Sequence, residues 1–369
     1  MRGRFVVFIL IFQSILFAAH AFVYKTWRAF QGATTSAGIS PLAWATVVLS
    51  VSFTAASLLA FRYGNAVVRV FYKLAAAWLG IFCFLFLAAI ACWGVLGASA
   101  IFGRHVNKQL WAEILFGAAV SASAYGMVNA SWTRVKRIRV KLPNLPEHWR
   151  GRVAALVSDL HLGHVREAGF TRRIAGLIRQ YNPAAVFIAG DLYDGTAADV
   201  NRLAAPLAGI DAPMGTYFVT GNHEGFQPRA HYLEAVPRAG VRVLHNEKVT
   251  IDGLQLVGVN YADSTHEEHF RSVLRGMKLD RGRASVLLTH VPGKLNVAEE
   301  AGIGLQLSGH THGGQFFPFT WITERVWGAF TYGLKRFGKL LVYTSSGAGT
   351  WGPPLRIGTN PEIVLIEFV

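Results

Sequence analysis

The amino-acid sequence predicts an α/β protein whose globular part is preceded by a four-helix transmembrane region. Three observations support this prediction: an almost uncharged first third, an alternation of short apolar strands with helices after it, and polar residues placed where those strands end. The chain has 369 residues, and 52% of them are hydrophobic. Nine of its 36 basic residues and one of its 21 acidic residues precede residue 134. The later part therefore has the mixed charge of a globular domain.

Four apolar runs in the first third are each long enough to form a transmembrane helix. A helix needs about 20 residues to cross a bilayer core of about 30 Å. The runs also lack the polar outer face that a buried soluble bundle would need. They are Phe5 to Tyr24, Ala29 to Phe61, Leu74 to Gly103 and Ile114 to Thr133.

The first run can also be interpreted as a signal peptide, because Arg2 and Arg4 precede it and Ala19 to Ala21 resembles a cleavage site. Either interpretation predicts a multi-pass protein of the cell (inner) membrane with a cytoplasmic C-terminal domain. The basic residues agree, because ten flank the predicted cytoplasmic ends and four flank the opposite ends. Five of the ten lie in RVKRIRVKL. If that segment is a strand of the globular domain, five basic residues flank the cytoplasmic ends and four flank the opposite ends.

The connector KLPNLPEHWRG contains two prolines, which disfavour a helix. We divide the chain into a transmembrane region, residues 1–133, and a globular domain, residues 134–369. Cys83 and Cys92 both lie in the third apolar run, so the sequence offers no disulfide framework and no thiolate metal site. Anionic lipid headgroups explain the net charge of +15 more simply than nucleic acid, and no nucleic-acid partner is expected.

The globular domain begins with a strand-helix alternation. RVAALVSD, AAVFIAGD and TYFVTGNH have the apolar, β-branched character of strands, and they alternate with the helical segments GFTRRIAGLIRQYN and ADVNRLAAPLAGI. This order is typical of βαβ units. Later strands such as LQLVGVN and ASVLLTH follow one another more closely, which predicts a second sheet.

Residues that can bind metals follow five of these strands. Ligands of α/β proteins bind beyond the carboxyl ends of the strands, so the five positions predict one cleft. A single Asp or Asn there could be a helix cap or a turn residue. A mixed set of carboxylate, amide and imidazole groups suits Mn, Fe or Zn. The five residues are Asp159, Asp191, Asn222, His290 and His310.

The blocks SDLHLG, GDLYD, GNHE, LLTH and GHTHGGQ, in this order, resemble the calcineurin-like metallophosphoesterases over residues 135 to 369. The resemblance implies a four-layer αββα sandwich of two mixed β-sheets flanked by helices. SDLHLG, GHTHGGQ and the tail SSGAGTWGPPLRIGTNPEI look most like the membrane-associated phosphodiesterase branch. That branch includes enzymes that hydrolyse UDP-diacylglucosamine in lipid A synthesis.

The resemblance implies a site for two divalent metal ions, with manganese favoured over iron and zinc. Asp191 would bridge the two ions, because a carboxylate offers two oxygens. Water activated by the pair would attack phosphorus in line. One ion would be bound by Asp159, His161, Asp191 and His312, and the other by Asp191, Asn222, His290 and His310.

His223 follows a predicted ligand, and histidine is the residue type whose ordinary pKa lies closest to neutrality, so we expect it to be the general acid. Asp194 is expected to orient His223 or a ligand, with a helix cap as the alternative. Glu224 is interpreted as a loop carboxylate. The glycines at 309, 313 and 314 would let the imidazoles of His310 and His312 reach different ions from nearby backbone.

These features predict a membrane-anchored hydrolase of a phosphodiester or pyrophosphate bond, in a phosphorylated, lipid-linked substrate such as UDP-diacylglucosamine. One alternative is a phosphodiesterase of soluble nucleotides or small diesters, and another is a metal-binding scaffold without turnover, which the intact His223 disfavours. The aromatic and basic segment Phe316 to Lys339 fits either core packing or a segment that rests on the bilayer interface. Because Glu113 is the only acid of the transmembrane region, an anchor is favoured over a transporter.

Overall fold

The computed structural model describes residues 2–32, 40–226 and 229–369, apart from the side chains of residues 2, 4, 5 and 229–231. The predicted apolar run Ala29 to Phe61 crosses residues 33–39, which lie outside this description, as do the side chains of Arg2 and Arg4. The chain forms two compact units. The first is Met1–Val128 with Gly352–Leu355, and the second is Asn129–Trp351 with Arg356–Val369.

Within the described residues, four helices are long and apolar enough to cross a membrane, as the sequence predicts, and the last of them ends in the second unit. Ser40 caps α2 by accepting a hydrogen bond from Ala43 N, and Pro41 occupies the first helical position. Asn65 caps α3 in the same way through Val68 N. The predicted run that begins at Ala29 therefore contains the end of α1 and the whole of α2. The helices are α1 Arg2–Phe30, α2 Pro41–Ala60, α3 Ala66–Ile101 and α4 Lys108–Ser131.

His20 serves helix packing in the first unit. Its ring stacks on Phe82 with the ring centroids 3.5 Å apart. Trp78 Nε1 donates a hydrogen bond to His20 Nε2 over 3.1 Å. This buried histidine therefore joins α1 to α3.

The segment RVKRIRVKL forms a strand of the second unit rather than a tail of the helices. Strand β1, Arg134–Val140, begins shortly after α4 ends at Ser131. The basic residues that flank the predicted cytoplasmic ends therefore number five against four on the other side.

The first sheet of the second unit has six strands in the order β1-β12-β2-β3-β4-β5. β12 is parallel to β1 and antiparallel to β2, and β2 to β5 are parallel to one another. The further bounds are β2 Val153–Val157, β3 Ala185–Ala189, β4 Thr216–Val219, β5 Arg242–Val243 and β12 Glu362–Phe368.

The second sheet has six strands in the order β10-β11-β9-β8-β7-β6. Its four middle strands are parallel, and an antiparallel strand closes each edge. Both sheets are mixed, as predicted. The bounds are β6 Glu247–Ile251, β7 Leu254–Gly258, β8 Ser285–Leu288, β9 Leu305–Ser308, β10 Gly333–Phe337 and β11 Leu340–Thr344.

Helices cover the outer faces of both sheets, which confirms the predicted αββα sandwich. Leu156 and Phe187 of the first sheet share a buried cluster with Val286 and Leu305 of the second. Because successive side chains of a strand point to opposite faces, the neighbours of these residues pack against helices instead. The helices are α5 Ala168–Arg179, α6 Val200–Ala204, α7 Arg229–Arg238, α8 Tyr261–Ser264, α9 Glu267–Gly276, α10 Leu295–Glu300 and α11 Phe319–Trp327.

Candidate metal centre

The structure gathers the seven predicted metal-binding side chains at the carboxyl ends of β2, β3, β4, β8 and β9. These strands belong to two sheets that share one core, so their ends meet at one edge of the sandwich. Asn222 and His310 are half-buried, and the other five side chains are buried. The seven residues form two adjoining clusters, each defined by short distances between its oxygen and nitrogen atoms.

The first cluster consists of Asp159, His161 and His312. The Nε2 atoms of His161 and His312 lie 3.0 Å apart. His312 Nε2 also lies 3.5 Å from Asp159 Oδ1. Three buried ligand atoms therefore converge on one point.

The second cluster consists of Asp191, Asn222, His290 and His310. His310 Nδ1 is 3.0 Å from Asn222 Oδ1, and His290 Nε2 is 3.2 Å from the same oxygen. His290 Nδ1 donates to the carbonyl oxygen of Ala189 over 2.8 Å. That bond orients the imidazole so that Nε2 faces the cluster.

Asp191 lies between the two clusters. Its Oδ2 atom is 3.1 Å from His290 Nε2 and 3.8 Å from His161 Nε2. Its Oδ1 atom accepts a hydrogen bond from His223 N over 2.9 Å. A carboxylate in this position can contact a cation in either cluster.

Five of the seven side chains leave the backbone from a left-handed conformation. These conformations cost energy for residues other than glycine and persist where the surroundings enforce them. Their concentration here marks a site whose ligand directions are set by tertiary structure. The φ angles are 52° at Asp159, 48° at His161, 49° at Asp191, 71° at His310 and 51° at His312.

Two glycines of the GHTHGG loop stand where a Cβ atom has no room. A Cβ on Gly309 would overlap the carboxylate of Asp159. Gly314 has a φ of 78°, and its Cβ would overlap the backbone of Thr320. The loop can therefore approach the β2 end and α11 only with glycine at these positions.

Electrostatics favour neutral imidazoles in both clusters except at His290. Burial lowers the pKa of His161 and of His312 well below its ordinary value. Burial, and then the charge of His290, lowers the pKa of His310 to about 3. Neutral imidazoles present nitrogen lone pairs, which are the form that binds metals.

Asp191 and His290 form a buried pair. Burial opposes a charge on each, but Asp191 more than offsets this and raises the pKa of His290 to about 10. His290 likewise keeps the pKa of Asp191 well below its usual range. Burial raises the pKa of Asp159 to about 6. A divalent cation among these groups would replace the protons that they otherwise share, so the donor set fits a metal pair.

His223 lies beside both clusters, with Nε2 4.0 Å from Asp191 Oδ2. Its Nδ1 donates to the main-chain oxygen of Asp194 over 2.9 Å. The Asp194 carboxylate instead accepts hydrogen bonds from Thr196 N and Thr196 Oγ1. The expected orienting role of Asp194 is therefore performed by its carbonyl group, while its side chain closes a turn.

Glu224 has a larger role than the loop carboxylate expected from the sequence. It is 2% exposed and accepts hydrogen bonds from the main-chain N–H groups of Asp191, Tyr193 and Gly221. It thereby joins the loops that follow β3 and β4. Burial, with the charge of Asp191, raises its pKa to about 7. GNHE contains this residue, but only the fold shows which amides it reaches.

Arg356 is a second residue that sequence reasoning missed. Its guanidinium is fully buried and donates to the carbonyl oxygens of His312, Ser346 and Gly349 over 3.2, 2.6 and 2.7 Å. Burial lowers its pKa to about 10, which leaves it charged at neutral pH. The residue stands in the tail segment LRIGTNPEI, where its apolar neighbours Leu355 and Ile357 were the available signal.

Comparison with known proteins agrees with this arrangement. The family model for calcineurin-like phosphoesterases matches residues 153–314. An uncharacterized metallophosphoesterase of Campylobacter jejuni is 31% identical over 238 residues, which cover 63% of this chain and 63% of that protein. The chain therefore spans less than two thirds of that relative.

The matches to two further relatives cover a larger share of each relative's length. An uncharacterized metallophosphoesterase of Aquifex aeolicus is 30% identical over 258 residues, 68% of this chain and 97% of that protein. A Danio rerio protein, named as a transmembrane protein with a metallophosphoesterase domain, is 27% identical across 98% of this chain and 89% of its own length. The chain therefore belongs to the calcineurin-like metallophosphoesterase family, and its described N-terminal region carries four helices that are long and apolar enough to cross a membrane.

Proposed function

We propose that the chain hydrolyses a phosphodiester or pyrophosphate bond in a lipid-linked substrate, with residues 134–369 as the catalytic domain. The observation that carries the proposal is the pair of adjoining clusters with Asp191 between them and His223 beside them. An apolar rim around the same site supports the choice of a lipid-linked substrate. UDP-diacylglucosamine is the specific candidate.

In this proposal the first cluster would hold one divalent ion and the second cluster another, and the Asp191 carboxylate would be available to both. The mixed oxygen and imidazole donors suit manganese, iron and zinc alike, and manganese is the ion that we favour and test. When bound, such a pair supplies a nucleophile from water at neutral pH and neutralises charge on phosphoryl oxygens. Glu224 holds the Asp191 loop by its main-chain N–H groups.

His223 is the proposed general acid. Because its Nδ1 hydrogen bond to Asp194 O fixes the ring, its Nε2 is the atom that faces the clusters. A proton held on Nε2 can pass to the oxygen that leaves phosphorus. The phenyl ring of Phe226 lies 4.7 Å from the imidazole, which limits the directions from which water reaches it.

The rim of the site is apolar and exposed, which suits a substrate with acyl chains. Phe226 is 53% exposed and Trp351 is 60% exposed, and both rings face His223. Gln315 fixes the Trp351 backbone through hydrogen bonds in both directions, of 2.9 and 3.1 Å. The backbone of Trp351 is thus held in place while its ring stays exposed, as expected for a contact residue.

Helix α11 extends this rim. It has no buried residue, and Trp321 is 53% exposed with the Arg325 guanidinium stacked on its ring. At its end Trp327 packs edge-on against His310, with the ring centroids 5.8 Å apart. An exposed aromatic helix with a basic residue is typical of a segment at a lipid interface. Core packing, the other interpretation of this segment, accounts for Phe316 but not for α11.

We also propose that the helices anchor the protein in the cell inner membrane with the catalytic domain in the cytoplasm. An even number of crossings leaves both ends of the helical region on one side. The basic count of five against four favours the cytoplasm for that side.

The deciding experiment is release of UMP from UDP-diacylglucosamine by the detergent-purified full chain with added manganese. Asp191→Asn is the blank. A soluble diester, bis(p-nitrophenyl) phosphate, is tested in parallel. Hydrolysis of both substrates by the wild type supports the proposal. Hydrolysis of the soluble diester alone would exclude UDP-diacylglucosamine and favour the soluble-diester alternative. Hydrolysis of neither, by protein that binds metal, would favour the non-catalytic scaffold.

A separate variant tests the proposed preference for a lipid-linked substrate. Trp321→Ala removes an exposed ring from α11 without touching either cluster. We expect this variant to have a higher KM for the lipid-linked substrate, by about tenfold for each 1.4 kcal/mol that burial of the ring against the substrate contributes to binding. We expect its kcat/KM for the soluble diester to be unchanged. An equal effect on both substrates would remove the support that α11 gives to a lipid-linked substrate.

A further inference from the structure

The last turn of α4 belongs to the same compact unit as the metal centre. The unit begins at Asn129, and the helix ends at Ser131. Asn129 and Ala130 are both buried. Each of the two makes a hydrogen bond to a loop of the second unit, and the two loops differ.

Asn129 holds the segment that carries Arg356. Its side-chain Nδ2 donates to the main-chain oxygen of Arg356 over 3.0 Å and to that of Thr359 over 2.9 Å. Both hydrogens of the amide are thereby used. The backbone around Arg356 is fixed to the helix end at two points.

Arg356 in turn connects His312 to the loop behind Asp159. Its Nη1 donates to His312 O, and its Nη2 donates to Gly349 O. Its Nη2 also lies 3.2 Å from His312 Nδ1. Gly349 N donates to Asp159 O over 2.8 Å. The guanidinium therefore supports two members of the first cluster, and burial leaves it no alternative partner in water.

Ala130 makes the second connection. Arg166 Nη2 donates to Ala130 O over 2.8 Å. This carbonyl stands in the last turn of α4, where helical carbonyls lack partners within the helix and a cation is favourable. The main-chain oxygen of Arg166 also accepts a hydrogen bond from Gly163 N over 2.8 Å, which closes the turn that follows His161. The loop that follows His161, the third residue of the first cluster, is therefore fixed to the same helix end.

We infer that the last turn of α4 positions the first cluster, and that Asn129, Arg356 and Arg166 are positioning residues for Asp159, His161 and His312. The inference rests on the ligand assignment of the proposed function. Both connections lead to loops of the first cluster. The second cluster therefore serves as an internal reference. A loss of metal affinity at the first cluster alone indicates positioning, whereas general destabilisation would lower the affinity of both clusters.

The test is manganese binding by the full chain in detergent, measured by competition with a chelating dye and by electron paramagnetic resonance. Asn129→Ala removes both amide donors. Ser123→Ala is the matched control, because Ser123 is a buried residue of the same helix whose hydroxyl donates to Ala119 O of that helix. The wild type is expected to bind two ions and to give the spectrum of a spin-coupled pair.

In Asn129→Ala we expect the dissociation constant of one ion to rise by about 10- to 100-fold, while that of the other ion is unchanged. At intermediate manganese the spectrum should become that of an isolated ion. If Asn129→Ala does not fold, Arg166→Gln tests the Ala130 connection with the same expectation. Unchanged binding, or an equal loss of both ions, would overturn the inference. A wild type that binds no metal would instead overturn the ligand assignment of the proposed function.

Discussion

The Nε2 atoms of His161 and His312 lie 3.0 Å apart, and burial lowers the pKa of both imidazoles. Two neutral imidazoles cannot each direct a lone pair at the other without a proton or a cation between them. Asp159 Oδ1, at 3.5 Å from His312 Nε2, adds a negative group at the same point. A divalent cation at this point would accept both lone pairs and offset the charge of Asp159, so we expect it to stabilise the folded arrangement.

Removal of metal is expected to lower thermal stability. A ligand that binds the folded state stabilises it by about 2.7 kcal/mol when its concentration is 100 times its dissociation constant. We expect EDTA to lower the melting temperature of the wild type and added manganese to restore it. The same titration on Asp191→Asn is the control and should show little change. A wild-type melting temperature that does not respond to either reagent would contradict the metal assignment.

Asp191→Asn should lose both ions, because Asp191 is the residue that contacts both clusters. An amide also lacks the negative charge that holds two cations close together. The measurement is metal content per chain after gel filtration. Asp194→Asn is the matched control, since the Asp194 carboxylate bonds to Thr196 and not to a proposed ligand, and it should keep both ions. Full occupancy in Asp191→Asn would exclude a bridging role.

His223→Ala should keep both ions and lose about 10²- to 10⁴-fold in kcat, the range typical of general acid catalysis. The loss should be smaller for bis(p-nitrophenyl) phosphate, because nitrophenolate leaves without a proton. Kinetic comparison with an alkyl diester checks this. An equal loss on both leaving groups, or a loss of metal, would favour His223 as a ligand, a role that its place near His161 and Asp191 also permits.

Gly309→Ala should weaken metal binding, since the added Cβ would overlap the Asp159 carboxylate. Gly225→Ala is the matched control, because a Cβ there meets no atom within 4 Å. Manganese titration of the two variants gives the comparison, and the expected loss is about 10-fold or more for Gly309→Ala alone. Equal affinities in the two variants would show that the loop can shift to admit a methyl group.

Much of the site could be predicted from the sequence because its signal is local. Asp159, Asp191 and His290 each stand just beyond an apolar strand, and parallel strands bring such positions to one edge of a sheet. The four helices are likewise visible as apolar runs, although the long run from Ala29 concealed the helix start at Pro41.

The remaining features depend on contacts between distant parts of the chain. Glu224 reaches N–H groups of the β3 loop, and Arg356 reaches His312 from 44 positions away. The role of Asp194 shows a different limit, because a sequence cannot tell whether a residue acts by its side chain or by its carbonyl oxygen. The left-handed backbone at Asp159 and His310 is also a tertiary effect, since neither residue type requires it.

The place of β12 in the first sheet has a consequence for biosynthesis. A ribosome adds β12 after every other strand of that sheet, yet β12 lies between β1 and β2 and pairs with both. The four helices can therefore enter the membrane while the sheet is still open. Arg356 precedes the first residue of β12 by six positions and Gly349 by thirteen. We therefore expect the sheet, and the segment that supports the first cluster, to close only after β12 has left the ribosome.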